Sequence, residues 1–299
     1  MSKVAILFAG QGSQTIGMGK VFYDSPSIQT LYEQGSQILG YDLASLCFED
    51  EGKLQDTRYT QNAILMTSIA IYESVKHALP SPIQAFCGFS LGEFTALYAA
   101  GIISFSDITS LVGIRAQSMS EVSHRYPGKM VALIGLQEDV VATFCSKISN
   151  LWIANYNAPD QIVISGAKSA VDEAVQELKR LGLRRAIELK VSGAFHTPMM
   201  EEASAVLEKY LNKITFSRPH TPIVMNRTGA YLEFSNLKSC IIEQMKSPVR
   251  FFQSIDLLIK DGFDTFIEIG PGCVLGNLVK KMYPEVFVES INQPLEVKS

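Results

Sequence analysis

Apolar residues fall into two rhythms along this chain. Short, nearly unbroken runs at Val4 to Phe8, Ile83 to Cys87, Pro222 to Met225 and Thr265 to Ile269 predict buried strands. Stretches with apolar positions three and four apart predict helices over 26–48, 60–79, Glu93 to Gly101, Met199 to Tyr210 and Val274 to Met282, with two more between residues 226 and 265. In the 60–79 helix, Ile64, Ile71, Val75 and Leu79 form one stripe. Ser104-Phe105-Ser106-Asp107 reads as a helix start and leads into a run carrying Ile108, Leu111, Val112, Arg115 and Met119. Strands alternating with helices predict an α/β body around a mostly parallel sheet.

The rhythm changes at Tyr126-Pro127-Gly128. Strands are expected at Met130 to Leu136, Trp152 to Tyr156, Gln161 to Ser165 and Arg184 to Leu189, and helices at Glu138 to Ile148 and Lys168 to Leu181. Asn157-Ala158-Pro159-Asp160 reads as the turn between the middle strands. The order β-α-β-β-α-β is that of a ferredoxin-like unit. The expected organisation is a hydrolase-like large α/β subdomain, residues 1–125 and 192–299, with a ferredoxin-like small subdomain, 126–191, inserted into it.

One strand-to-helix junction carries candidate chemistry. Gly88-Phe89-Ser90-Leu91-Gly92 places a serine on a sharp turn with glycine two positions to either side, the layout of a nucleophile elbow. A serine hydroxyl is a weak nucleophile and needs a base in hydrogen-bond reach. Of the four histidines, 77, 124, 196 and 220, His196 is the candidate: it sits in Ser192-Gly193-Ala194-Phe195-His196-Thr197-Pro198, where the chain returns from the inserted unit. No carboxylate stands out after it, so a backbone carbonyl is the expected tautomer-fixing partner. Arg115 lies on or beside a buried stripe, where its planar fork would hold a carboxylate; an ordinary salt bridge is the plainer reading. Gly10-Gln11-Gly12-Ser13-Gln14 is not a dinucleotide fingerprint, because residue 15 is Thr, nor a P-loop, because residues 14 and 21 are Gln and Val. It reads as a tight turn whose N–H groups face a neighbouring site.

Composition narrows the class. The chain has 299 residues, 47% of them hydrophobic and 19% charged, with net charge −4, which suits a globular protein and argues against nucleic-acid binding. The five cysteines (47, 87, 145, 240, 273) form no C-x-x-C pair, and the histidines lack metal-ligand spacing. A reduced, cytoplasmic protein without metal or cofactor is expected. No apolar run approaches a membrane span, and Val4 to Ala9 is too short for a signal-peptide core.

Gly10-Gln11-Gly12-Ser13-Gln14, Gly88-Phe89-Ser90-Leu91-Gly92-Glu93, Arg115, Gly193-Ala194-Phe195-His196 and Gly270-Pro271-Gly272, in that order, resemble the malonyl-CoA:acyl carrier protein transacylases, including free-standing acyltransferases of polyketide synthases. The resemblance covers nearly the whole chain. It implies Ser90 as the acylated nucleophile, His196 as base, the backbone N–H groups of Gln11 and Leu91 as oxyanion hole, and Arg115 as clamp for the malonyl carboxylate. It further implies that the backbone carbonyl of Gln244 orients the histidine, that Gln61 lines the pocket, and that the bulk of Phe195 selects malonyl over branched extender units. The implied partners are malonyl-CoA and an acyl carrier protein that brings its own phosphopantetheine. Phe89 replaces the family's usual histidine, and Asn62 its usual proline.

Rival readings are a hydrolase with Asp160 or Asp172 completing a triad, an acyl hydrolase clearing carrier proteins on the same scaffold, and a non-catalytic carrier-binding scaffold. The inserted unit, the Gly10-Gln11-Gly12 turn and Arg115 argue against the hydrolases; the presence of both Ser90 and His196 argues against the scaffold. Lys179-Arg180 and Arg184-Arg185 read as a solvated face, with docking of an acidic carrier as the functional alternative. A monomer is expected.

Overall fold

The computed structural model describes residues 2–80 and 82–294. Strand β1 (Val4–Phe8) is followed by helices α1 (Pro26–Leu39), α2 (Leu43–Phe48), α3 (Glu51–Leu54) and α4 (Thr57–Val75). Then come β2 (Ile83–Gly88), α5 (Gly92–Ala99) and α6 (Phe105–Arg125). The inserted unit consists of β3 (Gly128–Ile134), α7 (Glu138–Cys145), β4 (Leu151–Ala158), β5 (Gln161–Ala167), α8 (Lys168–Arg180) and β6 (Arg185–Glu188). The chain returns through α9 (Glu201–Leu211), β7 (Ile223–Met225), β8 (Ala230–Tyr231), α10 (Leu237–Gln244), α11 (Phe251–Lys260), β9 (Thr265–Ile269), α12 (Val274–Met282) and β10 (Phe287–Ile291).

The large sheet runs β10-β9-β1-β2-β7-β8, parallel except for the β7–β8 pair. Its register decides where the site lies. Phe8 pairs with both Gly88 and Ile269, and Val224 pairs with Cys87, so β1, β2, β7 and β9 end along one edge. The Gly10-Gln11-Gly12 turn, the serine elbow, Asn226 and the Gly270-Pro271-Gly272 turn therefore emerge side by side, where open α/β sheets place ligands. All five residues of β1 are buried, as its unbroken apolar run requires.

The small sheet is antiparallel, ordered β4-β5-β3-β6. Alternation along β3 sends Val131 and Leu133 into a core with Val171, Ala174 and Leu178 of α8, while Met130 and Ala132 join the large subdomain's core. The two bodies are stitched where Val249 N–H donates to Ala154 O (2.8 Å) and Tyr156 N–H donates to Val249 O (2.8 Å).

Several expected boundaries shift. The turn between the middle strands is only Pro159-Asp160, because Asn157 and Ala158 continue β4. Irregular register between Ile153 and Asn155, and again between Tyr156 and Ala158, leaves Asn155 and Asn157 on the side facing the large subdomain. The 26–48 stretch is two helices, broken where Gly40 takes φ 77° and Asp42 caps the second by accepting from Ser45 N–H. Two strands escaped the pattern. β8 is only two residues long, and β10 is an edge strand with Phe287 exposed and charged Glu289 in its middle. Among the described residues no helix is long and apolar enough to cross a membrane.

Candidate active site

The elbow is built by steric exclusion. A Cβ on Gly88 would lie 2.0 Å from the Gly92 carbonyl carbon, and one on Gly92 would lie 2.0 Å from the Phe8 carbonyl oxygen. Only glycine lets β2 turn into α5 this tightly. Ser90 itself has φ 51°, a left-handed conformation that costs a non-glycine residue roughly 1–3 kcal/mol. Asn226 holds it there: its Oδ1 accepts the Ser90 N–H (2.6 Å), while its Nδ2 donates to Gly88 O (2.6 Å).

His196 meets the serine from the returning loop. Its Nε2 lies 2.7 Å from Ser90 Oγ, and its Nδ1 lies 2.8 Å from the backbone carbonyl of Gln244. A carbonyl only accepts, so Nδ1 carries the proton and Nε2 is left as the acceptor for the serine hydroxyl. The backbone agrees with this anchoring: His196 has φ 60°, and its N–H donates to Met245 O (3.1 Å). Asp160 pairs with Lys281 and Arg184, and Asp172 with Lys129, so neither carboxylate serves the imidazole. The carboxylate-triad reading is thereby corrected.

Burial, and secondarily the Arg115 guanidinium, push the His196 imidazole down from 6.5 to about 4, against the pull of the Gln244 and Ser247 carbonyls. A depressed value keeps the ring neutral, and so basic, through the neutral range. Loss of the base by protonation is therefore expected to slow single-turnover acylation, tenfold per unit, only below about 4. A pH-jump acylation series checks this; a rate independent of pH below about 4 would contradict it.

Arg115 comes from the middle of α6 and is only 1% exposed. Its Nη1 donates to Gln61 Oε1, and its Nη2 donates to Gln244 Oε1 (3.1 Å) and to Ser90 Oγ (3.3 Å). Its Nε has no acceptor among the described residues, and the guanidinium carbon lies 5.1 Å from the Phe94 ring centroid. Burial pushes the group down to about 10, and Glu93 pulls it back up, so it stays cationic at neutral pH. The groups it bonds are two neutral amides and the Ser90 hydroxyl, so among the described residues the cation has no direct carboxylate partner.

Two residues without a role in the sequence reading belong here. Asn226 is described above. Glu93, 1% exposed, accepts from Asn226 N–H (2.5 Å) and from Gln244 Nε2 (3.0 Å). Burial pushes its carboxyl up to about 7, opposed by those donors and by Arg115. A sequence signal for Glu93 did exist: α5 has no polar face, so a carboxylate in its first turn has to be buried.

The other expected residues are placed as follows. Gln11 follows Gly10, where a Cβ would lie 2.3 Å from Phe89 O, so its turn abuts the elbow. Among the described residues the backbone N–H groups of Gln11 and Leu91 donate to no protein acceptor, whereas the Ser90 N–H is taken by Asn226. Gln61 is fully buried and grips Arg115. Phe195 is buried in the main core, with its ring against Gly193, and lines neither cavity described next. Phe89 stacks edge-on against Phe251 (5.4 Å between centroids). Asn62 donates to Tyr41 Oη (2.9 Å).

Two cavities flank the pair, both where the subdomains meet. One, about 490 Å³, is walled by Gln11 and Phe89 on one side and by Asn155, Asn157, Asn277 and Lys281 on the others. The buried Asn157 Oδ1 has no partner there among the described residues. The other, about 520 Å³, borders His196, Trp152 and Lys246. Among the described residues no group of three or more His, Cys, Asp or Glu side chains is placed to hold a metal ion. Arg180 pairs with Glu177 and Arg184 with Asp160, on the exposed side of the small subdomain.

The acyl transferase domain family model matches residues 6–294. A relative from Bacillus subtilis (strain 168), named malonyl CoA-acyl carrier protein transacylase, is 40% identical over 301 residues, covering 98% of this chain and 95% of its own. The crystal structure of MCAT from Streptococcus pneumoniae superposes with a TM-score of 0.92 at 42% identity, covering 97% of this chain and 96% of that one. A malonyl-transacylase solved in complex with its type II PKS acyl-carrier protein superposes with a TM-score of 0.93 at 31% identity, covering 98% and 96% of the two chains.

Proposed function

The chain belongs to the acyl transferase domain family, and on that premise we propose that it moves a malonyl group from malonyl-CoA to the phosphopantetheine thiol of an acyl carrier protein, through a malonyl-Ser90 intermediate, in fatty acid or polyketide biosynthesis. The observation that carries this reading is a serine 2.7 Å from a neutral imidazole and 3.3 Å from a buried guanidinium that lacks a direct carboxylate partner.

In the first half-reaction Ser90 Oγ attacks the thioester carbonyl while its proton passes to His196 Nε2. The N–H groups of Gln11 and Leu91 receive the oxyanion, each worth roughly 3 kcal/mol by comparison with measured oxyanion holes. Collapse breaks the C–S bond, and the imidazolium returns its proton to the departing CoA thiolate. In the second half-reaction the carrier thiol gives its proton to His196 and attacks the malonyl-serine ester, and serine leaves with that proton. The cycle needs no metal or redox group. The 490 Å³ cavity, amide-lined and apolar by turns, suits a pantetheine arm approaching past Gln11. We place the small subdomain at residues 126–191 and take the enzyme to be a cytoplasmic monomer.

The hydrolase alternative finds no support, because the site holds a carboxylate-binding cation and no carboxylate on the histidine. Incubation with malonyl-CoA and a holo carrier protein tests the choice: malonyl thioester on the carrier is expected, and stoichiometric free malonate without carrier loading would refute transfer.

Arg115 is proposed as the clamp, with Gln61 holding the guanidinium; the expected selection by Phe195 gains no support from its place in the core, away from both cavities. Two charge-assisted bonds to the malonyl carboxylate are worth about 3 kcal/mol, or roughly a hundredfold. Arg115→Ala is therefore expected to slow malonyl loading about a hundredfold while leaving acetyl loading within severalfold of its original rate. Parallel loading rates from the two CoA esters check this; equal losses with both would remove the clamp assignment.

A further inference from the structure

We infer that Glu93 is a positioning residue for acyl transfer: its buried carboxylate locks the side-chain amide of Gln244 and the backbone of Asn226, and through them holds Ser90 and His196 in line. The inference rests on the transfer reading above and adds a residue that touches neither substrate nor nucleophile.

Glu93 spends both oxygens on parts of the site. Oε1 accepts Gln244 Nε2 (3.0 Å), and Oε2 accepts Asn226 N–H (2.5 Å). Gln244 is the residue whose carbonyl fixes the imidazole, and Asn226 is the residue whose Oδ1 fixes the Ser90 N–H. One carboxylate thus reaches the base along one arm and the nucleophile along the other.

The Gln244 amide shows how strictly this is set. Its Nε2 donates to Glu93 and to Ser90 O (2.9 Å), while its Oε1 accepts from Arg115 Nη2 (3.1 Å). Rotating the amide by half a turn would put oxygen against a carboxylate and a carbonyl, and nitrogen against a cation. The anion at one end and the cation at the other leave one orientation. Remove the anion, and only the Ser90 carbonyl and the guanidinium still specify it.

Stability alone gives no reason for a carboxylate here. Its helix neighbours Phe94, Ala96 and Leu97 are fully buried, and taking an ion out of water costs several kcal/mol that an apolar side chain of the same volume avoids. The charge makes sense through what it holds. Both oxygens face N–H donors, so the ionised form is the one the surroundings accommodate.

The test uses Glu93→Gln, which keeps the shape but offers one oxygen to two donors. For malonyl loading, kcat is expected to fall about a hundredfold, the scale of a misplacement near 1 Å at a reacting centre, with KM for malonyl-CoA within about twofold of the original. Gln244→Met removes the amide but keeps the main-chain carbonyl, and it is expected to lower kcat similarly. The double variant is expected to be no slower than the worse single one, because both changes cut the same link. A Glu93→Gln enzyme within about threefold of the original kcat, or losses that multiply in the double variant, would overturn the inference. If Glu93→Gln does not fold, Gln244→Met decides alone, and an unchanged kcat there overturns it. The unaltered enzyme runs in the same assay: if it fails to load malonate, the transfer reading falls, whereas loading by all variants removes only the role of Glu93.

Discussion

The Ser90→Ala variant is expected to acquire no malonyl group from malonyl-CoA and to lose transfer by at least about 10⁴-fold, the scale on which removal of a covalent nucleophile acts. The substitution deletes the oxygen 2.7 Å from His196 Nε2 and 3.3 Å from Arg115 Nη2, the one atom on which base and cation converge. Among the described residues no other side-chain hydroxyl bonds the imidazole, so no substitute nucleophile stands ready. The fold should be retained. Alanine tolerates the elbow no worse than serine does, and the Asn226 bond is to the main-chain N–H, which alanine keeps. Intact-mass measurement after incubation with malonyl-CoA reads the outcome directly. An alanine variant loaded like the original would show that acylation occurs elsewhere.

His196→Ala carries the next largest effect. With the imidazole gone, the serine proton has no acceptor, and Ser90 faces a guanidinium that only donates. The rate of CoA release in a single turnover is expected to fall roughly 10⁴- to 10⁶-fold. Malonyl-CoA should still bind, since Arg115 and the Gln11 turn are untouched. Residual covalent loading over hours would fit the account. Loading within tenfold of the original rate would mean that another group takes the proton.

Much of this site is legible in the sequence where backbone geometry is demanding. The spacing of Gly88 and Gly92 around Ser90 can be read because no other residue survives 2.0 Å contacts with main-chain atoms. The inserted β-α-β-β-α-β unit can be read because alternation on β3 and β5 and the helical stripe on α8 are strong, local signals. His196 is legible as a choice among four histidines, and Gln244 only through family likeness, since a backbone carbonyl leaves no trace in residue type. For Asn226 the sequence carries no signal, and for Glu93 it shows a buried carboxylate but not what that carboxylate holds. Their meaning depends on β7 lying beside β2, a pairing between residues 136 apart for Asn226 and Ser90. Edge strand β10 lacked the apolar continuity of the central strands because one side of it faces solvent. Composition marks Asn157 as a turn residue, but the β4–β5 ladder extends past it and turns its amide toward a cavity.

The roles fit together around charge. A neutral imidazole and a guanidinium with no carboxylate partner among the described residues meet at one hydroxyl, and on the proposed reading a substrate that brings a carboxylate completes the set. Phe89 leaves this arrangement intact. Its ring packs away against Phe251 and contributes wall to the cavity, while its main chain keeps the elbow. The imidazole that the family likeness leads one to expect before the serine is thus absent, while residue 196 still places an imidazole 2.7 Å from Ser90 Oγ.

The most direct measurement offers the enzyme an equimolar mixture of malonyl-, methylmalonyl- and acetyl-CoA, followed by intact-mass and peptide analysis before and after addition of a holo carrier protein. The account predicts a single malonyl adduct on the peptide containing Ser90, which disappears as the carrier gains the same group. An adduct dominated by acetyl, or a malonyl adduct mapped to any other residue, would contradict it.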